Sequence, residues 1–271
     1  MKLRVLGLLS MAILYLSPLS GFFKKGNLET FNNYYDNLSP KEYDWYYESR
    51  VPGEPPFPPK ETKDFINNYE VFYLGDTSKK ELYLTFDEGY ENGYTGEILD
   101  ILKKHNVKAA FFVVAPYIKT NGELIKRMAK EGHLVCNHSA SHPSMAKVPN
   151  REDFLKELKT VEKLYQETTG MEMAKFFRPP MGKYSELSLS LTSELGYKTI
   201  FWSFAYKDWI PESQPSKEMA LKKILSKTHN GAIILLHAVS KTNSEILDEL
   251  ISKWKEEGYE IKSLEELPKS Q

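Results

Sequence analysis

Residues 82–93 read LYLTFDEGYENG. Leu82 to Phe86 are apolar, aromatic or β-branched, the composition of a buried strand. The run stops on two adjacent carboxylates, Asp87 and Glu88, followed by Gly89, Tyr90 and a third acid, Glu91. Neighbouring side chains along a strand point to opposite faces. Two adjacent acids can therefore serve one site only where the strand has ended. The expectation is that it ends here and that Asp87 and Glu88 both lean toward one centre.

The same texture recurs along the chain. Apolar runs stand at 81–86 (ELYLTF), 108–114 (KAAFFVV), 133–137 (HLVCN), 175–178 (KFFR), 198–203 (KTIFWS), 231–236 (GAIILL) and 259–263 (YEIKS). Between them lie stretches with helical spacing. Phe154, Leu155, Leu158, Val161 and Leu164 fall on one helical face, with Asn150 placed to cap the start and Gly170 just past the end. Ile246, Leu247, Leu250, Ile251 and Trp254 form a second such face, ended by Gly258. Continuously apolar strands alternating with helices predict a parallel sheet covered by helices. Seven strands suit an α/β barrel, with an open doubly wound sheet as the alternative. In both, a site lies at the C-terminal ends of the strands.

The 271 residues suffice for one large domain, and 41% apolar with 27% charged residues is ordinary for a globular protein. A net charge of −1 lacks the basic excess of a nucleic-acid binder. Lys2 and Arg4 precede an uncharged stretch from Val5 to Phe23, then Lys24 and Lys25. Residues 1–25 therefore read as a secretory signal or a signal anchor. Pro18 and Leu19 make poor cleavage determinants, so both export and N-terminal membrane association stay open. Residues 26–80 are rich in Tyr, Asn and Pro, with VPGEPPFPP at 51–59. Such proline density favours an extended path. With Trp45, Tyr46, Phe65 and Phe72 to bury, this segment reads as an arm packed on a catalytic domain spanning 81–264, which a short tail, 265–271, follows. The single cysteine, Cys136, excludes an intrachain disulfide and reads as a small buried hydrophobe. A monomer is expected.

The strand ends carry the chemistry. The first ends in Asp87-Glu88, the third runs into NHSASHP with His138 and His142, the fourth into RPPMG with Arg178, the fifth into FWSFAYKDW with Asp208 and Trp209, and the sixth ends in LLH with His237. Five ends carrying groups that bind metals, move protons or fix charge would share one face. His138 and His142, four apart, suit metal ligation. Ser139 occupies the place of the glutamate in HExxH, so the pair brings no base with it. Pro143 disfavours helical backbone at His142, which places the pair on a tight turn or a helix end. The base must come from Asp87 or Glu88. A metal on two histidines and a carboxylate would polarise a carbonyl and acidify water. A carboxylate would take the water's proton and His237 would protonate an amine leaving group. Asp208 could hold His237, and Arg178 could keep the base ionised. The set suits hydrolysis of an amide or ester, with Trp202, Trp209, Tyr90 and Phe177 as candidate apolar walls for a sugar.

TFDEG, HSASH, RPPMG, DW and LLH, in this order, resemble the five motifs of the polysaccharide deacetylase family (NodB homology, carbohydrate esterase family 4) over about residues 80–264. FDEGYENG, FWSFAYKDW and the aromatic arm are similar to its sporulation branch of muramic-acid de-N-acetylases, which prepare spore-cortex peptidoglycan for δ-lactam formation. The resemblance implies a distorted, NodB-like (β/α) barrel with an N-terminal extended arm. It implies Asp87 as the base, Arg178 orienting it, His237 as the general acid and Asp208 as its partner. It implies His138, His142 and Glu88 around a divalent metal, Zn2+ foremost, with Co2+ or Mn2+ as alternatives. The Met181 backbone N–H would be an oxyanion donor, and Tyr90, Glu91, Pro180, Met181 and Trp209 would meet the glycan. Glu88 departs from the family's usual second Asp, and Ala205 stands where many relatives have an acid. The implied partner is a peptidoglycan strand, with an upstream muramoyl amidase as a further candidate, in the cell envelope or the space between spore membranes. A glucosamine deacetylase and a non-catalytic glycan-binding domain are the competing readings.

Overall fold

The structure, a computed structural model, describes residues 37–148 and 150–268. The expected signal segment and residues 26–36 of the expected arm lie outside the described residues. From Ser39 on, the described residues form one compact unit. Its elements, in chain order, are β1 (Tyr43–Asp44), β2 (Val71–Phe72), β3 (Glu81–Glu88), α1 (Thr95–Lys104), β4 (Ala110–Val113), α2 (Ala115–Thr120), α3 (Gly122–Lys130), β5 (Leu134–Asn137) and α4 (Arg151–Thr169). After these come β6 (Phe176–Phe177), β7 (Lys183–Tyr184), α5 (Glu186–Glu194), β8 (Lys198–Ile200), β9 (Phe204–Ala205), α6 (Lys217–Lys227), β10 (Ala232–His237), α7 (Lys241–Glu256) and β11 (Glu260–Lys262). Each of the seven apolar runs contains a strand.

The main sheet runs β2-β8-β6-β5-β4-β3-β10-β9, and every neighbouring pair is parallel. β11 pairs with residues 81–83 of β3, while β4 pairs with residues 85–88. Because β10 holds β3's other edge, β11 and β4 share one flank. The strand within the expected run at 198–203 ends at Ile200, and a second strand begins just past the run. The first, β8, pairs with β6, and the second, β9, pairs with β10 at the other end of the sheet. One stretch of chain thus spans both ends of the sheet and curls it into a distorted barrel.

Parity along β3 separates two cores. Leu82, Leu84 and Phe86 join Phe111 and Val113 under the helices. Tyr83 joins Ala110, Phe112, Cys136 and Ile233 inside the barrel. The helices cover the outer face for the reasons their sequences suggest. Asn150 accepts the Asp153 N–H at 2.8 Å to cap α4, and Gly170 closes it at φ 73°. In α7 the whole expected stripe, Ile246 to Trp254, is buried; each such side chain contributes about 1.5–3 kcal/mol.

Two expected boundaries differ from the structure. Residues 39–80 do not only lie on the barrel: β2 adds a parallel edge strand beside β8, and Trp45 stacks on Phe201 at 4.2 Å. The Trp45 indole N–H donates to the Trp202 carbonyl at 2.9 Å, and the Tyr47 hydroxyl donates to the Ala205 carbonyl at 3.1 Å. At the other end, Leu267, expected in a loose tail, is buried with Leu264 against the barrel interior.

Candidate active site

The register of β3 against β10 sets the centre. Asp87 and His237 are Cα partners, so their side chains leave the same face of the sheet about one strand spacing apart. Both line a concave pocket of about 690 Å³ together with His138, His142, Trp202 and Trp209.

Arg178 fixes Asp87. It follows β6 and is fully buried. Its Nη1 donates to Asp87 Oδ1 at 2.7 Å, Nη2 to Thr85 Oγ1 at 2.9 Å and to the Phe201 carbonyl at 3.3 Å, and Nε to the Ile200 carbonyl at 3.1 Å. The guanidinium also lies 4.2 Å from the Phe112 ring centre. Burial alone would raise the Asp87 pKa. The charge of Arg178, helped by His138 and His237, more than offsets it and holds the carboxyl below the ordinary aspartate value.

His237 is fixed from the other side. Buried Asp208 takes the His237 Nδ1–H at Oδ1, 2.7 Å, and the His237 backbone N–H at Oδ2, 2.9 Å. Asn243, in the first turn of α7, donates to the same Oδ2 at 2.6 Å, and its own amide oxygen accepts the Tyr206 hydroxyl. A carboxylate accepts only, so Nδ1 carries the proton and Nε2 faces the pocket. Burial disfavours the imidazolium, but Asp208 outweighs it and raises the His237 pKa. The Trp209 ring sits 5.4 Å from that of His237.

His138 and His142 meet as expected, by a turn and not a helix. Ser139 and His142 both adopt left-handed backbone, φ 68° and 59°. The turn is pinned by Asn137 Oδ1, which accepts the Ser139 N–H at 2.9 Å, and by Ser139 Oγ, which accepts the His142 N–H at 3.0 Å. The rings stand edge to face at 4.9 Å. His138 Nδ1 donates to the Arg178 carbonyl at 2.8 Å, and burial lowers its pKa to about 4. Its Nε2 therefore offers a lone pair 3.5 Å from Asp87 Oδ2. An imidazole whose far nitrogen is anchored on a carbonyl, with a second imidazole ring beside it, is the donor chemistry a divalent cation takes. The fit extends to two imidazoles only. Among the described residues no group of three His, Cys, Asp or Glu is arranged to hold a metal.

Glu88 does not join them. β3 continues through Glu88, which pairs with Val113, so the alternation persists and Glu88 turns to the helix side. It is fully buried, with both carboxylate oxygens unpartnered among the described residues. Burial, then Glu91 and Asp87, push its pKa well above the ordinary 4.5. Glu88→Met is expected to raise the unfolding free energy by about 1–2 kcal/mol at neutral pH, the penalty of an unpaired buried polar group, and to leave bound metal unchanged. The sign follows from linkage. A carboxyl whose folded pKa is raised gives its full stability below the unfolded pKa and loses it as pH rises toward the folded one. The gain should therefore widen with pH in denaturant titrations. Loss of metal in the variant would return Glu88 to the ligand set.

The expected glycan contacts divide. Tyr90, Met181 and Trp209 are exposed and line the pocket. Glu91 does not line it; its carboxylate accepts the Gly93 and Thr95 N–H groups and the Tyr117 hydroxyl, tying down the start of α1. Pro180 is buried and does not line the pocket. Met181 holds φ 58°. The next residue, Gly182, cannot carry a side chain, because a Cβ there would meet the Trp202 ring at 2.9 Å. Thr85, Asn243, Trp45 and Tyr47 belong to the site or its supports and were not expected. Only Asn243 left a trace in the sequence, three residues after a serine that caps α7.

Residues 74–200 match the family model for polysaccharide deacetylase. The chain is 49% identical over 82% of its length to an uncharacterised 30.6 kDa protein of Geobacillus stearothermophilus, covering 84% of it. It is 43% identical over 82% of its length to the peptidoglycan-N-acetylmuramic acid deacetylase PdaA of Bacillus subtilis, covering 84% of that protein. The solved structure of PdaA, a family 4 carbohydrate esterase, superposes with a TM-score of 0.82 over 85% of this chain and 98% of that one, at 41% identity. The peptidoglycan-N-acetylglucosamine deacetylase PgdA of Listeria monocytogenes is 33% identical over 80% of this chain and 48% of its own length.

Proposed function

This chain belongs to the polysaccharide deacetylase family, and we propose that it hydrolyses the N-acetyl group of N-acetylmuramic acid in peptidoglycan. The observation that carries the chemistry is the registered pair Asp87 and His237, one clamped by Arg178 and the other by Asp208, facing a single pocket. Greater identity to the muramic-acid enzyme than to the glucosamine enzyme supports the sugar. A glycan-binding domain needs no such acid–base set.

Asp87, ionised, takes a proton from a water as that water's oxygen attacks the acetyl carbonyl carbon. The Met181 backbone N–H on the pocket rim would receive the developing oxyanion. The C–N bond then breaks, the amine nitrogen takes the proton on His237 Nε2, and acetate departs. His138 and His142 would hold a divalent metal, which supplies Lewis-acid polarisation when bound. The exposed amine would lie beside the lactyl carboxylate of the same sugar, the pairing that closure to a δ-lactam needs. Peptidoglycan as substrate places the protein in the cell envelope; spore cortex, with the space between spore membranes, is the narrower setting we propose.

Mass analysis of peptidoglycan fragments after incubation with metal-loaded protein tests the reading. Acetyl loss at muramic residues supports it, and loss confined to glucosamine overturns it. The same assay carries a pH prediction. The profile of kcat/KM should be a bell whose acid limb lies below the ordinary aspartate value of 3.8 and whose alkaline limb lies above histidine's 6.5. Asp208→Asn should move the alkaline limb to lower pH, since Asp208 holds the imidazolium. A limb that stays in place would remove His237 as the acid.

A further inference from the structure

His142 stands in backbone that its sequence does not favour. A residue before proline is ordinarily extended, yet His142, ahead of Pro143, is left-handed at φ 59°. Such a conformation persists only where the surroundings impose it. On the N-terminal side the hold is plain. Asn137 and Ser139 pin the turn from within, and Glu157 of α4 accepts the Ser141 N–H at 2.8 Å and the Ser141 hydroxyl at 2.7 Å. On the C-terminal side Pro143 has no N–H to give. The next residue, Ser144, donates its hydroxyl to Oε2 of Glu42.

Glu42 belongs to the arm, outside residues 74–200 that match the family model, and it does not line the catalytic pocket. The strand that follows it sets its place: β1 pairs with β7, with Asp44 opposite Lys183. The Lys183 ammonium reaches Glu42 Oε1 at 3.0 Å and Asp44 Oδ1 at 2.9 Å. Lys147, three residues past Ser144, reaches the same Oε1 at 3.3 Å. Ser144, then Lys183, hold the Glu42 carboxyl down at about 2. One oxygen therefore faces the lysines and the other holds the turn that carries His142.

We propose that Glu42 is a positioning residue for the metal: by holding Ser144 it keeps the His142 ring beside that of His138, 4.9 Å away. This rests on the reading that these two histidines hold a divalent cation, and it makes the arm part of that site. Without the tie, His142 relaxes toward the extended backbone that Pro143 favours, and its ring leaves its neighbour. The apparent affinity for the cation then falls in proportion to the fraction of molecules that still hold the turn.

The test titrates Zn2+ into the metal-free full chain against a chromophoric chelator. Glu42→Ala is expected to weaken Zn2+ binding about 10-fold, the low end of what losing a ligand's hydrogen-bonded support costs. Ser144→Ala should do the same, and the double variant should add little to either, because both break one bond. Glu42→Gln still accepts from Ser144 and should stay within a few-fold of wild type. So should Asp44→Asn, which loosens the arm at Lys183 and leaves the Ser144 bond in place. A merely structural Glu42 would lower the thermal midpoint in Glu42→Ala and leave the Zn2+ affinity of the folded protein unchanged. That result, with His142→Ala losing affinity, overturns the role of Glu42 and spares the metal reading. An equal loss in Asp44→Asn overturns it as well, by assigning the effect to docking of the arm at large. A wild-type chain without Zn2+ affinity, or one whose affinity survives His142→Ala, overturns the metal reading and the role of Glu42 together.

Discussion

Asp87→Asn is expected to lower kcat for acetate release by about 10²- to 10⁴-fold, the range that general-base catalysis supplies, with glycan affinity changed only a few-fold. The asparagine keeps the size of the side chain and can still accept from Arg178 Nη1, which holds Asp87 Oδ1 at 2.7 Å. It cannot take a proton at neutral pH. The fold should persist, because Thr85 and two backbone carbonyls continue to anchor Arg178. Acetate release by single turnover, with glycan binding measured by calorimetry, separates the two effects. If release continues near the wild-type rate, Asp87 is not the base and the registered pair with His237 loses its meaning. If binding collapses with release, the loss reflects a disrupted pocket instead.

The position of Asp87 was legible from the sequence because it depends on local pattern. An apolar run ending in an acid, repeated as strands ending in His138, Arg178 and His237, places polar groups at one end of a parallel sheet. The fate of Glu88 was not legible, because where a strand ends is decided by its neighbour. β4 runs to Val113 and keeps the ladder going through Glu88, and one further pair of residues turns that side chain to the opposite face. Glu91 shows the same dependence. Its carboxylate would suit a glycan if the loop were free, but α1 begins at Thr95 with an N-cap, Tyr94, that makes no side-chain cap bond. Glu91 satisfies those N–H groups instead. The arm's part in the site was invisible for a different reason. Trp45 and Tyr47 reach Trp202 and Ala205 across more than 150 positions of sequence, and no short-range pattern encodes such a contact. The splitting of 198–205 between the two ends of the sheet is likewise a property of closure. Asn243 supports the Asp208 carboxylate from a helix whose sequence marks only its cap.

Arg178→Met is expected to lower the unfolding free energy by about 3–5 kcal/mol at neutral pH, because it leaves a buried carboxylate without its counter-charge. Methionine fills much of the stem's volume against Phe112, so the loss should come mainly from Asp87 and from the carbonyls of Ile200 and Phe201 left without a donor. The pH dependence separates these. In wild type the folded pKa of Asp87 is depressed, so its contribution is present above the unfolded pKa and is lost as pH falls through the folded value. In the variant, burial acts with less opposition and the folded pKa rises above the unfolded one. Stability then falls as pH climbs between the two, and the deficit relative to wild type should grow from acid to neutral pH. Chemical denaturation at several pH values reads this directly. A deficit equal at all pH values would assign the loss to the carbonyls and to packing, and would deny Arg178 its electrostatic hold on the base. Arg178→Lys sharpens the distinction. Its ammonium restores the charge, and with it the pH dependence, but one point donor cannot serve Asp87, Thr85 and two carbonyls together. It should therefore recover the pH slope while regaining only part of the stability and little of kcat, since the carboxylate is charged but no longer held in place.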